Sequence, residues 1–156
     1  MELKIVLVEP RIPQNTGNIG RLCVASGSAL HLIHPLGFTL SQKELKRAGM
    51  DYWESLELYE WANLEEFWEQ HPFSSHHFLL STRAKRAHFE AEFRADSYLY
   101  FGREDAGLPA WLLERNPEAM FKIPMQAGNR SLNLATATGI VLYEAIRQNY
   151  AQFLRC

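Results

Sequence analysis

Leu99-Tyr100-Phe101-Gly102-Arg103-Glu104-Asp105-Ala106-Gly107-Leu108-Pro109 reads as a strand that ends in a glycine-bounded acidic turn and passes into a helix opened by proline. Proline suits a first helical turn because the amide it lacks has no partner there anyway, and the helix is expected to run to about Arg115. The same grammar repeats outward. Leu3 to Val8 is a short β-rich apolar run, closed by Pro10 and Pro13; Asn18 to Ser26 places Ile19, Leu22, Cys23 and Ser26 at helical spacing, with Gly27 at a capping position. Leu30 to His34, Phe78 to Ser81 and Phe121 to Ile123 read as further strands. Ser41 with Glu44, and Asn63 with Glu66, are capping-box starts for short helices. A long helix is expected from about Leu132, with an apolar stripe of Leu134, Ala137, Val141, Leu142, Ala145 and Ile146. Strands alternating with helices predict an α/β fold with a largely parallel sheet.

Composition bounds the function. A chain of 156 residues that is 47% apolar builds one core without disulfides or metals, so a single domain over 1–156 is expected. Sixteen basic against eighteen acidic side chains give a formal charge of −2, so any nucleic-acid surface must be local. No apolar run approaches the roughly 18 to 20 residues of a membrane span, and Met1 leads straight into a strand, which predicts a cytoplasmic protein. Cys23 and Cys156 read as free thiols. The stretch 54–69 carries six glutamates and reads as a solvated acidic face that RNA avoids. Of the six histidines, adjacent His76 and His77 should point to opposite faces of a strand, so no metal site is read.

Three loops differ from ordinary connections. Asn15-Thr16-Gly17-Asn18-Ile19-Gly20-Arg21 has two glycines that admit close backbone approach, and amides at a helix start suited to an anion. In the quoted loop, Gly102 and Gly107 mimic phosphate-loop spacing. Leu108 and Pro109 stand where phosphate and magnesium binding need Lys and Ser or Thr, which excludes nucleoside triphosphate hydrolysis. Glu104 and Asp105 read either as ligand acceptors or as turn and cap residues. In Ile123-Pro124-Met125 through Asn133, Ser131 is a helix cap, and Asn133, inside the first helical turn, needs a partner if buried. Gly139 costs the long helix about 1 kcal/mol relative to alanine unless something packs close to it.

Together and in this order, the three loops resemble the signature motifs of the SPOUT family of RNA methyltransferases, the first at Asn15 to Arg21, the second at Phe101 to Leu108, and the third at Ile123 to Met125 with Ser131 to Glu144. With Arg47-Ala48-Gly49-Met50-Asp51-Tyr52 after the second strand and no added RNA-binding domain, the chain is most similar to the minimal branch, which methylates the 2′-hydroxyl of a wobble cytidine or uridine in tRNA. The resemblance implies helices on both faces of the parallel sheet and a C-terminal deep trefoil knot. It implies S-adenosylmethionine, without metal, held by Leu80, Ser81, Thr82, Gly102, Ile123, Met125, Ser131 and Leu132. Arg21 is implied as the catalytic residue, with Ser131 and Asn133 orienting the hydroxyl or the cofactor. A guanidinium stays protonated at any ordinary pH, which suits the residue implied as catalytic to gripping phosphate and stabilising negative charge rather than to acting as a base.

Lys46 and Arg47, with Lys43, and Arg83, Lys85 and Arg86 form two basic clusters, read either as solvated faces or as phosphate contacts for tRNA. Tyr52 and Trp53 read as core, with base stacking the alternative. The long apolar stripe is more than one sheet face readily covers, which predicts a homodimer. The competing readings are methylation of another tRNA or ribosomal RNA ribose, and a non-catalytic RNA-binding or chaperone protein.

Overall fold

The computed structural model describes residues 1–40 and 51–155. Its elements are β1 (Lys4–Val8), α1 (Pro13–Ser26), β2 (Ala29–Ile33), β3 (Leu58–Trp61), α2 (Leu64–Gln70), β4 (His77–Leu80), β5 (Tyr98–Phe101), α3 (Ala110–Arg115), β6 (Met120–Phe121), α4 (Leu134–Gln148) and α5 (Tyr150–Phe153). All pairings are parallel, in a six-stranded sheet of order β3-β2-β1-β5-β4-β6. The chain therefore builds outward from β1 through β2 to β3 before it returns to the other side of β1. That reversal puts a topological switch between β1 and β5, and sheets of this kind bind ligands outside the carboxyl ends of their strands.

Alternation along the strands sorts the core into two layers. Ile5 and Leu7 face one cluster with Ile19 and Cys23 of α1 and Val141, Leu142, Ala145 and Ile146 of α4. Val6 and Val8 face the other, with Leu64 and Phe67 of α2 and Leu112 and Leu113 of α3. Both faces are thus covered, which is why the strands are almost continuously apolar. Burial pushes the Cys23 thiol up to about 12, so it is a packing group without thiolate reactivity. Among the described residues no helix is long and apolar enough to cross a membrane.

The structure corrects several expectations. α1 begins at Pro13 rather than Asn18, so Asn15, Thr16 and Gly17 are buried helix residues and not a loop. Gly20 faces no ligand: a methyl there would lie 3.1 Å from the Trp53 ring and 3.2 Å from Leu56, so its small size admits the 3-10 turn Asp51–Ser55. α4 begins at Leu134, capped by Asn133 rather than Ser131. A methyl at Gly139 would make ordinary contact, 3.7 Å from Leu22, so close packing does not require that glycine. Inside the acidic stretch lies an unexpected strand, β3, at the sheet edge. The α4 stripe is covered within the chain except for half-exposed Ala137, so it no longer argues for a second copy; the exposed apolar side chains of that helix are Ile140 and Tyr143. The expected Ser41–Glu44 helix start and Cys156 lie outside the described residues.

Two buried histidines, His31 midway along β2 and His77 at the start of β4, replace aliphatic core. Trp61 Nε1 donates to His31 Nδ1 at 3.0 Å, which requires a neutral acceptor ring, and Tyr59 stacks on that ring with centroids 4.9 Å apart. His77 Nδ1 lies 2.7 Å from the Tyr100 hydroxyl, while its ring stacks on Tyr98 at 4.1 Å. His76 instead pairs with Asp96 at 2.8 Å. Desolvation, with repulsion from His71 and Lys4, lowers His31 to about 3; desolvation, with repulsion from His71, His76 and Lys4, lowers His77 to about 4. Because the unfolded chain binds these protons more readily, their contribution is fully present above the ordinary histidine pKa of about 6.5 and is lost as pH falls toward 4. Denaturant unfolding should show stability falling between pH 6.5 and 4 by up to about 1.4 kcal/mol per pH unit for each histidine. His77→Phe should reduce that slope, and an unchanged slope would contradict this assignment.

Candidate active site

Three chain segments meet at the carboxyl ends of β4, β5 and β6 around a cleft of about 480 Å³. From β4 come Leu80, Ser81, Thr82 and Arg83. The Ser81 amide donates to the Phe121 carbonyl at 2.9 Å and fastens this exit to β6, while the Ser81 hydroxyl accepts from the Arg83 amide at 3.1 Å. From β5 comes the loop 101–108. Paired backbone bonds between Arg103 and Gly107, at 3.1 and 2.8 Å, close it into a tight turn, and Gly107 takes a positive φ of 74°. A methyl at Gly102 would fall 1.9 Å from the Gly107 carbonyl carbon, so only glycine allows the strand to meet this turn. The third wall is Ile123, Met125, Arg130, Ser131, Leu132 and Leu134, reached through a turn at Gly128, φ 91°.

One carboxylate connects the walls. Glu104 Oε1 accepts from the Arg11 amide at 2.9 Å and Oε2 from the Ile12 amide at 2.6 Å, at the entry to α1. Asn15 Nδ2 reaches the same carboxylate at 3.4 Å, and Asn15 Oδ1 accepts from Asn133 Nδ2 at 3.0 Å. Asn133 Oδ1 in turn accepts from the Thr136 amide at 3.1 Å and starts α4. The anion expected at the first helix start is therefore the chain's own Glu104, which acts as a cap and not as a ligand acceptor. Asn15 and Asn133 are the carboxamides that join the first and third segments through it. The sequence signal for Asn15 was a carboxamide two residues before a glycine, within a stretch the reading treated as loop. Asp105 is engaged differently: Arg103 Nε and Nη2 donate to its two oxygens at 3.0 and 2.8 Å, and this guanidinium holds its carboxyl below the usual carboxylate range.

A model of the SpoU rRNA methylase family matches residues 2–143, across all three segments and the whole sheet. The chain belongs to that family. It is 46% identical over 151 residues to a Yersinia pestis protein named tRNA (cytidine(34)-2′-O)-methyltransferase, covering 94% of this chain and 93% of that one. A solved structure described as "Structural insights into the 2-OH methylation of C/U34 on tRNA" superposes with a TM-score of 0.89 at 47% identity, over 96% of this chain and 97% of the other. An AdoMet-bound rRNA methyltransferase from Sinorhizobium meliloti aligns with a TM-score of 0.80 at 31% identity, over 94% of this chain and 56% of its own. The SPOUT resemblance read from the three motifs is thus borne out.

Within this family member, all eight residues expected to hold the cofactor line one cleft: Leu80, Ser81, Thr82, Gly102, Ile123, Met125, Ser131 and Leu132. Arg21 does not line it. It stands exposed on α1 with its guanidinium carbon 5.5 Å from the centre of the Tyr52 ring, while the Tyr52 hydroxyl donates to the Gly17 carbonyl. Of the basic clusters, Arg83 lines the cleft, exposed Lys85 lies outside its lining, and Arg86 donates to the Glu118 carbonyl at 2.5 Å and packs on the Phe121 ring. Lys46 and Arg47 lie outside the described residues. Arg103 and Arg130, which the sequence reading passed over, line the cleft as well. Glu104→Gln retains one acceptor oxygen and orphans an amide at the α1 entry, and should lower stability by about 1–2 kcal/mol. Denaturant unfolding measures this, and an unchanged midpoint would contradict the tie.

Proposed function

We propose that this chain transfers a methyl group from S-adenosylmethionine to the ribose 2′-hydroxyl at the wobble position of the tRNA anticodon, at cytidine or uridine. The observation that carries the reading is end-to-end similarity to relatives named for that reaction, at 46% identity over 94% of the chain. The cleft fits the cofactor. Its volume of about 480 Å³ is within the range of small-molecule sites, and Leu80, Phe101, Ile123 and Leu134 give apolar walls for an adenine. Gly102 lets the turn close against its strand, which brings the backbone of that turn to the cleft. Bound there, S-adenosylmethionine supplies a methyl group already activated by its sulfonium. No metal enters this reading.

The protein's remaining task is to align the hydroxyl and to stabilise the charge that develops as its proton leaves. Ser131, exposed at the rim, and Asn133, fixed by Asn15, are suited to orienting the hydroxyl or the cofactor. Arg21 carries a planar guanidinium fork and is assigned to gripping a phosphate and stabilising the oxyanion. Because Arg21 stands outside the lining of its own cleft, the reading places it at the cleft of a second copy in a homodimer. Exposed Ile140 and Tyr143 on α4 give such a contact an apolar surface. Residues 1–156 are read as one cytoplasmic methyltransferase domain, with the C-terminal segment passing through the deep trefoil knot of SPOUT folds.

Labelled methyl transfer to tRNA followed by nuclease mapping should place the label on the ribose at position 34, the position named in the relatives. Label on a base, or on a ribose outside the anticodon loop, would overturn the substrate. Arg21→Ala should abolish transfer and leave S-adenosylhomocysteine affinity within about twofold, since its contacts form only with RNA and the transition state. Loss of cofactor affinity in that variant would remove Arg21 from this role.

A further inference from the structure

The cleft mouth carries a feature that cofactor binding does not explain. Three arginines, Arg83, Arg103 and Arg130, line it, one from each wall. With Glu104 and Asp105 in the same lining, the three arginines leave the cleft net positive in a chain of net charge −2, at the site where a polyanion is proposed to dock. The acidic groups beside it are accounted for. Glu104 is committed to the amides of Arg11 and Ile12, and Asp105 to Arg103. Glu9 and Arg11 complete the charged surroundings of this turn.

The geometry of Arg103 is specific. Its Nε and Nη2 grip Asp105 as a fork, at 3.0 and 2.8 Å, and the turn that carries both residues is closed by the Arg103 and Gly107 backbone bonds. A guanidinium has five N–H donors in one plane, and this fork uses two of them. Both donors on Nη1 and one on Nη2 remain, and the Nη1–Nη2 edge presents two of them side by side, a match for two oxygens of a phosphate. The Arg103 side chain is one-third exposed, so that edge is accessible to solvent. Asp105 thus holds Arg103 in place while leaving its phosphate-matching edge open, which a flexible surface lysine cannot reproduce.

We infer that Arg103, positioned by Asp105 and flanked by Arg83 and Arg130, clamps an RNA phosphodiester next to the ribose that is methylated. This rests on the proposed RNA methylation and names the residues that seat its substrate. Arg86, held by the Glu118 carbonyl and Phe121, is left out of the clamp. The alternative anion, the carboxylate of the cofactor's methionine part, is separated by measuring cofactor and RNA affinity independently.

The test uses full-length protein, a tRNA that wild type methylates, and S-adenosylhomocysteine. Wild-type turnover comes first, so that failure of the RNA reading is distinguished from failure of the clamp. Arg103→Ala should weaken tRNA binding about tenfold and reduce the slope of log affinity against log salt by about 0.7 to 1, one phosphate contact. S-adenosylhomocysteine affinity should stay within about twofold, which also shows that the variant is folded. Arg103→Lys should recover the salt slope but not the turnover. Asp105→Asn gives the sharpest contrast: it makes the protein one charge more positive, so a diffuse electrostatic surface would bind tRNA more tightly, whereas a positioned fork loses its anchor and binds about threefold more weakly. Tighter binding by Asp105→Asn, an unchanged salt slope in Arg103→Ala, or a loss confined to S-adenosylhomocysteine would overturn the clamp.

Discussion

The Glu104 carboxylate, spanning from the β5 turn to the Arg11 and Ile12 amides, is the contact on which the site depends. A helix start leaves amides without partners and carries partial positive charge, and a carboxylate from a sequence-distant loop answers both. The same carboxylate orients Asn15, Asn15 orients Asn133, and Asn133 fixes the first turn of α4. Residues separated by more than a hundred positions are thereby held in one constellation, and the cleft lies beside it. Gly102 makes this possible, because a larger residue would push the acidic turn off the strand that delivers it.

Charge is partitioned along the sheet. The cleft opens at the β5-β4-β6 side, whereas four of the six glutamates of 54–69 lie on β3 and α2, at the opposite end of the strand order. Several of those glutamates have local structural roles: Glu60 meets His34 at 2.8 Å, and Glu66 accepts from the Ala62 amide. An overall charge of −2 is compatible with RNA binding when the acidic stretch 54–69 lies at the far side of the sheet and three arginines outnumber Glu104 and Asp105 in the cleft lining.

Much of this was legible in the sequence, for identifiable reasons. Strands buried on both faces announced themselves as apolar runs, and the β5 wall of the cleft was marked by Gly102 and Gly107, which its tight turn requires. The edge strand β3 was not legible, because an edge exposed to solvent tolerates Tyr59 and Glu60 and loses the apolar run that marked its neighbours. The start of α1 was not legible because Asn15, Thr16 and Gly17 are poor helix formers, kept helical by burial and by Glu104 at the helix entry. Nor did the sequence show that α4 would bury its stripe against the same sheet face as α1, since that depends on where the chain returns. The partners of Glu104 lie about 90 residues away in sequence, beyond the reach of any local pattern.

Three sequence-distant segments are proposed to form one methyl-donor site. Titrating nitrogen-labelled protein with S-adenosylhomocysteine, in the presence of a chelator, and following the backbone amides by NMR tests it most directly. The account predicts saturable shifts concentrated in 80–83, 101–108 and 123–134, carried to Asn15 through its bond to Asn133, with β3 and α2 unmoved. No saturable shift, or shifts centred on the amino ends of the strands, would contradict it.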